Sequence, residues 1–235
     1  MRFGKIDYLN LAPFDVFIKA YPTTSNFKQF LNLHKTYPSR LNKDFLLKRI
    51  DAGFISSIAG YYSHLHQRAT MTGIISKGSV WSVIVLPTKD AQDYQSATSN
   101  ALCKVLGLKG EVLIGDRALQ YRYKNGKHID MGDQWFKNKH LPFVFGRFCI
   151  NSYDDFYQKM ASAFNQKKVK IPHYILMEYS KRLEIEPQYI LEYLKHIYYK
   201  IGPKELLGLK RFYRELFLKK IKKPLKQHFY TKTKD

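Results

Sequence analysis

Apolar positions in the first 87 residues switch between a period of two and a helical period. FGKIDYL reads as a strand, and Phe14, Phe17, Ile18 and Tyr21 then follow helical spacing up to the stop at Tyr21-Pro22. A strand is expected near Phe27–Leu33. Pro38 opens a second helix that carries Leu41, Phe45, Leu46 and Ile50 on one side. In AGFISSIAGYY, Ala52–Ile55 reads as a short buried strand, Ser56 and Ser57 as cap hydroxyls, and Ile58 as the start of a helix. Thr70–Ile75 and Val80–Leu86 read as two strands separated by Lys77-Gly78, the second ended by Pro87. Alternating strands and helices predict a mainly parallel sheet.

From Thr88 the texture changes. Asp90–Ser96 is polar enough for a loop, TSNALCKVLG reads as a capped helix, and EVLIGDRAL as strand, turn and helix start. LPFVFGRFCI, Leu141–Ile150, is a strongly apolar strand. The rest is helical: Ser152 and Asp155 form a capping-box-like pair ahead of Phe156, Met160 and Phe164. Glu186-Pro187 opens a helix with Ile190, Leu194 and Ile197, and Gly202-Pro203 one with Leu206, Leu209, Tyr213 and Leu216. These stripes are core.

A length of 235 residues allows one large domain or two small lobes. No apolar run approaches the roughly 20 residues needed to span a bilayer, and no signal-peptide core is seen, so a cytoplasmic setting without membrane insertion is expected. Cys103 and Cys149 are too far apart for a zinc ribbon or a redox pair and read as small buried hydrophobes. The formal charge of +21 raises nucleic acid, an anionic membrane and anionic metabolites as partners. Lysines are densest in Leu216–Asp235, which reads as a solvated tail, and no nucleic-acid-binding motif accompanies them. Nucleic acid is therefore not expected as a partner.

Glycine-rich nucleotide loops, HExxH and GxSxG are all missing, so no cofactor and no metal are expected. His64 and His66 lie two apart, a poor spacing for one helical face. What remains is a set of neutral hydroxyl and amide groups at strand–helix junctions: Asn10, Ser56, Ser57, Ser82, Thr98 and Ser99, with the turn at Gly115-Asp116. At a helix start such hydroxyls join free backbone N–H groups to form an anion cradle, and two cradles suit a dicarboxylate. Each taken alone is an ordinary cap.

In order, IDYLN…PF, YPSRLNKDFLLKRIDAGFISS, GSVWSVIVL, SATSNAL, VLIGDRAL and LPFVFG resemble the chorismate dehydratases of the futalosine-type menaquinone pathway, over roughly residues 2–150. The resemblance implies an α/β, two-lobed fold like the type II periplasmic binding proteins. Residues 1–87 plus 180–235 would form the first lobe and residues 88–179 a shortened second one, with helices at the C-terminal end and hinges near Pro87 and Phe148. It implies conversion of chorismate to 3-[(1-carboxyvinyl)oxy]benzoate, with Asn10 and Ser82 catalytic and Ser56, Ser57, Thr98 and Ser99 binding substrate. Asp116, in the IGD turn, joins the binding set but leans structural. The motif set contains no obvious general base, so the substrate's enolpyruvyl carboxylate is expected to take the proton, with Asp116 or Asp7 as the alternative. A solute-binding protein of the same fold, the dihydroxynaphthoate-forming sister enzyme and a basic nucleic-acid-binding protein are the rival readings. The oligomeric state is not legible.

Overall fold

The computed structural model of the protein describes residues 1–33 and 35–226; the end of the basic tail, 227–235, lies outside the described residues. In chain order the strands are β1 (Phe3–Ile6), β2 (Lys35–Thr36), β3 (Ala52–Ser56), β4 (Ala69–Ser76), β5 (Val83–Leu86), β6 (Glu111–Ile114), β7 (Ile129–Asp130), β8 (Phe143–Ile150) and β9 (Tyr198–Lys200). A six-stranded sheet has the order β2-β1-β3-β8-β4-β9, and a three-stranded sheet the order β6-β5-β7. The helices are α1 (Ala12–Ala20), α2 (Ser25–Leu33), α3 (Pro38–Leu46), α4 (Tyr61–Leu65), α5 (Ala97–Leu106), α6 (Gly115–Tyr123), α7 (Met131–Lys139), α8 (Asp154–Gln166), α9 (His173–Leu183), α10 (Pro187–Lys195) and α11 (Pro203–Leu218). Among the described residues no helix is long and apolar enough to cross a membrane.

The mainly parallel sheet expected from the βα alternation is not what forms. Only β1 has parallel partners, β2 and β3, while β8 pairs antiparallel with both β3 and β4 and β9 pairs antiparallel with β4. β3 and β4 still run in the same direction, but the strand between them arrives from much later in the chain. Such an insertion leaves no mark on the alternation. It does leave one on β8, where Phe143, Val144, Phe148, Cys149 and Ile150 are all buried because both sheet faces are covered. Sheet membership also departs from the expected division at residues 88 and 179. β5, from the expected first lobe, belongs to the small sheet, and β8, from the expected second lobe, sits inside the large one.

Residues 27–33 form helix, not strand. Thr24 Oγ1 accepts from the Phe27 amide at 3.3 Å and starts the turn, and Phe27 and Leu31, four apart, bury on one face. The Ser152 cap is not formed either: α8 follows Tyr153 in a left-handed conformation (φ 61°) without a side-chain cap, and Asp154 and Asp155 fill its first turn. α3 ends at Leu46, so Ile50 buries from the loop beyond it. After β3 the helix begins at Tyr61, not Ile58.

Beneath the large sheet lies an aromatic cluster. Phe3 meets Phe148 at 5.2 Å and Phe14 at 5.5 Å between ring centroids, and Phe14 meets Phe54 at 4.9 Å. Such pairs add about 0.5–1.5 kcal/mol each beyond the area they bury. This cluster fixes β1, β3, β8 and α1 together, and with them the polar chain segments at the ends of β1 and β3. Cys103 and Cys149 are both buried and unpaired in disulfides.

Candidate active site

A cleft enclosing about 510 Å³ of atom-free space, its mouth included, opens between the two sheets. The large sheet contributes Ile6, Tyr8 and Asn10 from the end of β1, Ser56 from the end of β3, Ile74 from β4, and Phe145 and Gly146 from β8. From the other side come Val80, Ser82 and Val83 on the crossing into β5, Ser96 and Ser99 at the start of α5, and Ile114 and Gly115 between β6 and α6. Ligand sites at the carboxyl ends of strands are the rule in α/β folds.

Asn10 sits on a single 3₁₀ turn, Leu9–Leu11, between β1 and α1. Its backbone carbonyl accepts from the Tyr199 hydroxyl at 2.6 Å, but its side-chain Oδ1 is buried with no hydrogen-bond partner among the described residues. A buried amide oxygen left unpaired beside a cleft is costly unless a ligand supplies the donor. Ser56 and Ser82 are both buried yet line the cleft. Asn42, on the buried face of α3, accepts from the Ser56 amide at 3.0 Å and donates to Ser56 Oγ at 2.8 Å. Ser82 Oγ accepts from the Tyr193 hydroxyl at 2.9 Å.

At α5 the cap is Ser96, not Thr98: Ser96 Oγ accepts from the Ser99 amide at 3.1 Å and lies 2.8 Å from Ser99 Oγ. With the Ser99 amide taken by the cap, the amides of Ala97 and Thr98 are the ones a helix start leaves without helical partners, and beside the Ser99 hydroxyl they make the start of α5 suited to a carboxylate. The loop ahead of Ser96 is pinned to α3, since the Ser39 amide donates to Gln95 O and the Ser39 hydroxyl to Tyr94 O, both at 2.9 Å. Tyr8 adds its hydroxyl to the Gln95 side chain. Burial, then the nearby Asp93 charge, pushes the Tyr8 hydroxyl far up in pKa, so it is a neutral donor at any physiological pH.

Asn10, Ser56, Ser82 and Ser99 are therefore brought together at the cleft, and Ser57, Thr98 and Asp116 are not among its lining residues. The Ser57 hydroxyl donates to Val144 O, and Thr98 Oγ1 accepts from the Ile58 amide at 3.0 Å. Both tie the junction after β3 to its neighbours instead of capping a helix. Asp116 is in the first turn of α6; one carboxylate oxygen accepts from the Leu9 amide at 3.0 Å and the other from Arg182 at 2.9 Å. Burial raises its pKa, opposed by the Leu9 amide and by Arg182. Of the Gly115-Asp116 turn only Gly115 lines the cleft, and Tyr8 and Ser96 line it without having been singled out. Tyr8 could have been found two positions ahead of Asn10, and Ser96 three ahead of Ser99 at N-cap spacing.

Among the cleft's lining residues there is no Asp, Glu, His, Lys or Arg. Among the described residues no cluster of three or more His, Cys, Asp and Glu could hold a metal ion. His64 instead accepts at Nδ1 from Arg147 at 2.8 Å, away from the cleft.

The polar inventory and the fold both have counterparts in known proteins. The chain is similar in fold to a structural-genomics protein of Archaeoglobus fulgidus (TM-score 0.65, 14% identity, covering 94% of this chain and 98% of that one). It is also similar to the periplasmic aliphatic sulphonate binding protein of Escherichia coli (TM-score 0.57, 13% identity, covering 97% and 90%). The fold is thus the periplasmic-binding-protein-like one. In sequence it is 42% identical over 215 residues to the chorismate dehydratase of Campylobacter jejuni, covering 90% of this chain and 96% of that protein. A family described as menaquinone biosynthesis matches residues 1–111 and again 106–217, and to that family this chain belongs.

Proposed function

We propose that this chain is a cytoplasmic hydro-lyase that dehydrates chorismate to 3-[(1-carboxyvinyl)oxy]benzoate on the way to menaquinone. The 42% identical relative named chorismate dehydratase supports the substrate. The observation that carries the reading is the cleft's inventory: neutral donors, one orphan amide oxygen at Asn10, and no lining side chain able to act as a base near neutrality.

Chorismate carries two carboxylates, and loss of the C3 proton with the C4 hydroxyl makes its ring aromatic, which supplies the driving force. The protein's task is then largely positioning. The start of α5, with Ser96 and Ser99, takes one carboxylate. Ser56 and Ser82 hold the ring substituents, and the Asn10 amide, donor and acceptor at once, spans the C4 hydroxyl. The enolpyruvyl carboxylate takes the C3 proton, and the C3–H electron pair becomes the new ring double bond. Hydroxide leaves C4 and recovers the proton as water. Ser57, Thr98 and Asp116 act as framework. The two lobes of the enzyme follow the two sheets, with the chain crossing at residues 77–82 and 140–142.

Purified protein incubated with chorismate alone, with products followed by chromatography and mass spectrometry, tests the reading. A species lighter by one water supports it. Unchanged chorismate overturns it, and if chorismate still raises the melting temperature the chain is a binding protein of the same fold.

A further inference from the structure

Two serines of the cleft have their acceptor side occupied from behind by residues that do not themselves line it. We infer that Asn42 and Tyr193 are positioning residues that, by each filling one lone pair, turn the protons of Ser56 and Ser82 toward the bound substrate as hydrogen-bond donors; the inference rests on the chorismate reading of the cleft.

The direction of each bond follows from chemistry. A backbone N–H can only donate, so the Ser56 amide, 3.0 Å away, fixes Asn42 Oδ1 as its acceptor and turns Asn42 Nδ2 toward Ser56 Oγ at 2.8 Å. Nδ2 can only donate, so Ser56 Oγ accepts there. The one proton of Ser56 then points elsewhere, and the hydroxyl lines the cleft. Asn42 is 2% exposed and makes this clamp from inside the α3–β3 contact.

Tyr193 repeats the device from α10. Its hydroxyl is buried, and its one hydrogen bond among the described residues runs to Ser82 Oγ at 2.9 Å. That proton has no other acceptor among the described residues, and a buried O–H left unpaired is costly, so Tyr193 is the donor in that pair. Among the described residues the Ser82 proton has only Val80 O, at 3.4 Å, longer than an ordinary O–H···O bond. It is free to turn to a ligand. Both serines therefore keep their one proton for acceptor oxygens, carboxylate or ether, and offer one lone pair fewer to groups that donate. A site with no lysine or arginine among its lining residues thereby acquires anion preference from hydroxyls whose polarity is set one residue further back.

The test is a pair of double-mutant cycles, Asn42→Asp with Ser56→Ala and Tyr193→Phe with Ser82→Ala. Each is read in kcat/KM for chorismate and in the calorimetric Kd of isophthalate, an aromatic dicarboxylate. A carboxylate at position 42 accepts from both the amide and the hydroxyl of Ser56, reversing the hydroxyl proton. Asn42→Asp is expected to weaken both readouts about 10- to 100-fold, and at least about 5-fold less when Ser56 is already alanine. The added negative charge is present in both backgrounds and cancels from the cycle. Tyr193→Phe preserves ring volume; it should cost about 5- to 10-fold and nothing further in the Ser82→Ala background. Additive cycles would overturn the inference, since a merely structural role is blind to whether the serine is present. If Asn42→Asp does not fold, the Tyr193 cycle decides. Wild-type protein that binds isophthalate but leaves chorismate unchanged overturns the dehydratase reading, while the cycles in isophthalate affinity still decide the positioning role. Failure to bind either dicarboxylate overturns the inference.

Discussion

Asn10 and Asp116 occupy the same kind of place, just past a strand and at the approach to a helix, and they are neighbours in space because Asp116 accepts from the amide of Leu9. Their hydrogen bonds differ completely. Both carboxylate oxygens of Asp116 are engaged, one by Leu9 and one by Arg182, whereas Asn10 Oδ1 is buried and has no partner among the described residues. One residue builds the turn and the other is presented by it. Polarity at a junction does not separate the two roles; the count of satisfied donors and acceptors does.

The largest effect expected from breaking this contrast is Asn10→Asp. It places a charge against two substrate carboxylates and removes the amide's donor, so kcat/KM for chorismate should fall by about 100-fold or more. The protein should still fold, since Asn10 Oδ1 makes no hydrogen bond among the described residues, with some loss of melting temperature because the buried oxygen then carries charge. Turnover like the wild type would remove Asn10 from the mechanism.

Gly115→Ala should come next. Gly115 has φ +63°, and a Cβ there would stand 2.8 Å from the Tyr8 ring, so the substitution strains the turn and pushes Tyr8 into the cleft. A loss of about 1–3 kcal/mol in denaturant unfolding, together with a raised KM, is expected. Unchanged KM would mean that Tyr8 does not shape the site.

Asp116→Asn should be milder and opposite in character to the Asn10 variant. Removing half of a partly exposed ion pair should cost about 1 kcal/mol of stability and leave turnover within a few-fold of wild type. Loss of turnover with chorismate affinity intact would instead make Asp116 the base.

The smallest effect concerns pH and lies outside the cleft. Burial, and then the Arg147 charge, lowers the pKa of His64 below its ordinary 6.5. Arg147 donates to the unprotonated Nδ1, so the folded state favours neutral His64. The unfolded chain takes up the proton first as pH drops, so stability should be full above about pH 6.5 and decline below it. His64→Gln should flatten the slope of unfolding free energy between pH 7 and 5, with His196, also lowered by burial, supplying what remains. An unchanged slope would exclude His64.

Much of this was legible in the chain. Pro38, Pro187 and Pro203 each open a helix where the sequence places one, and four junction residues, Asn10, Ser56, Ser82 and Ser99, converge on one cleft. Most of what was not legible depends on partners distant in sequence, the helix at residues 25–33 being the local exception. Phe27 and Phe30 could serve a strand or a helix, and the Thr24 cap decided it locally. Ser57 and Thr98 look like caps until Val144 and Ile58 appear beside them. Asn42 shares the buried face with Leu41 and Phe45, and nothing in SRLNKDF says that its partner is Ser56.

The insertion of β8 between β3 and β4 also sets an order of events during synthesis. Until Phe143–Ile150 leaves the ribosome, β3 has β1 on one side and an open edge on the other, and β4 lacks the neighbour that joins it to the sheet. The first 87 residues, though they carry most of the strands of that sheet, cannot complete it. Cleft and large sheet should therefore form together, late, in one cooperative step governed by long-range contacts. A nascent chain halted before residue 143 should remain sensitive to protease and exposed to self-association through those two edges.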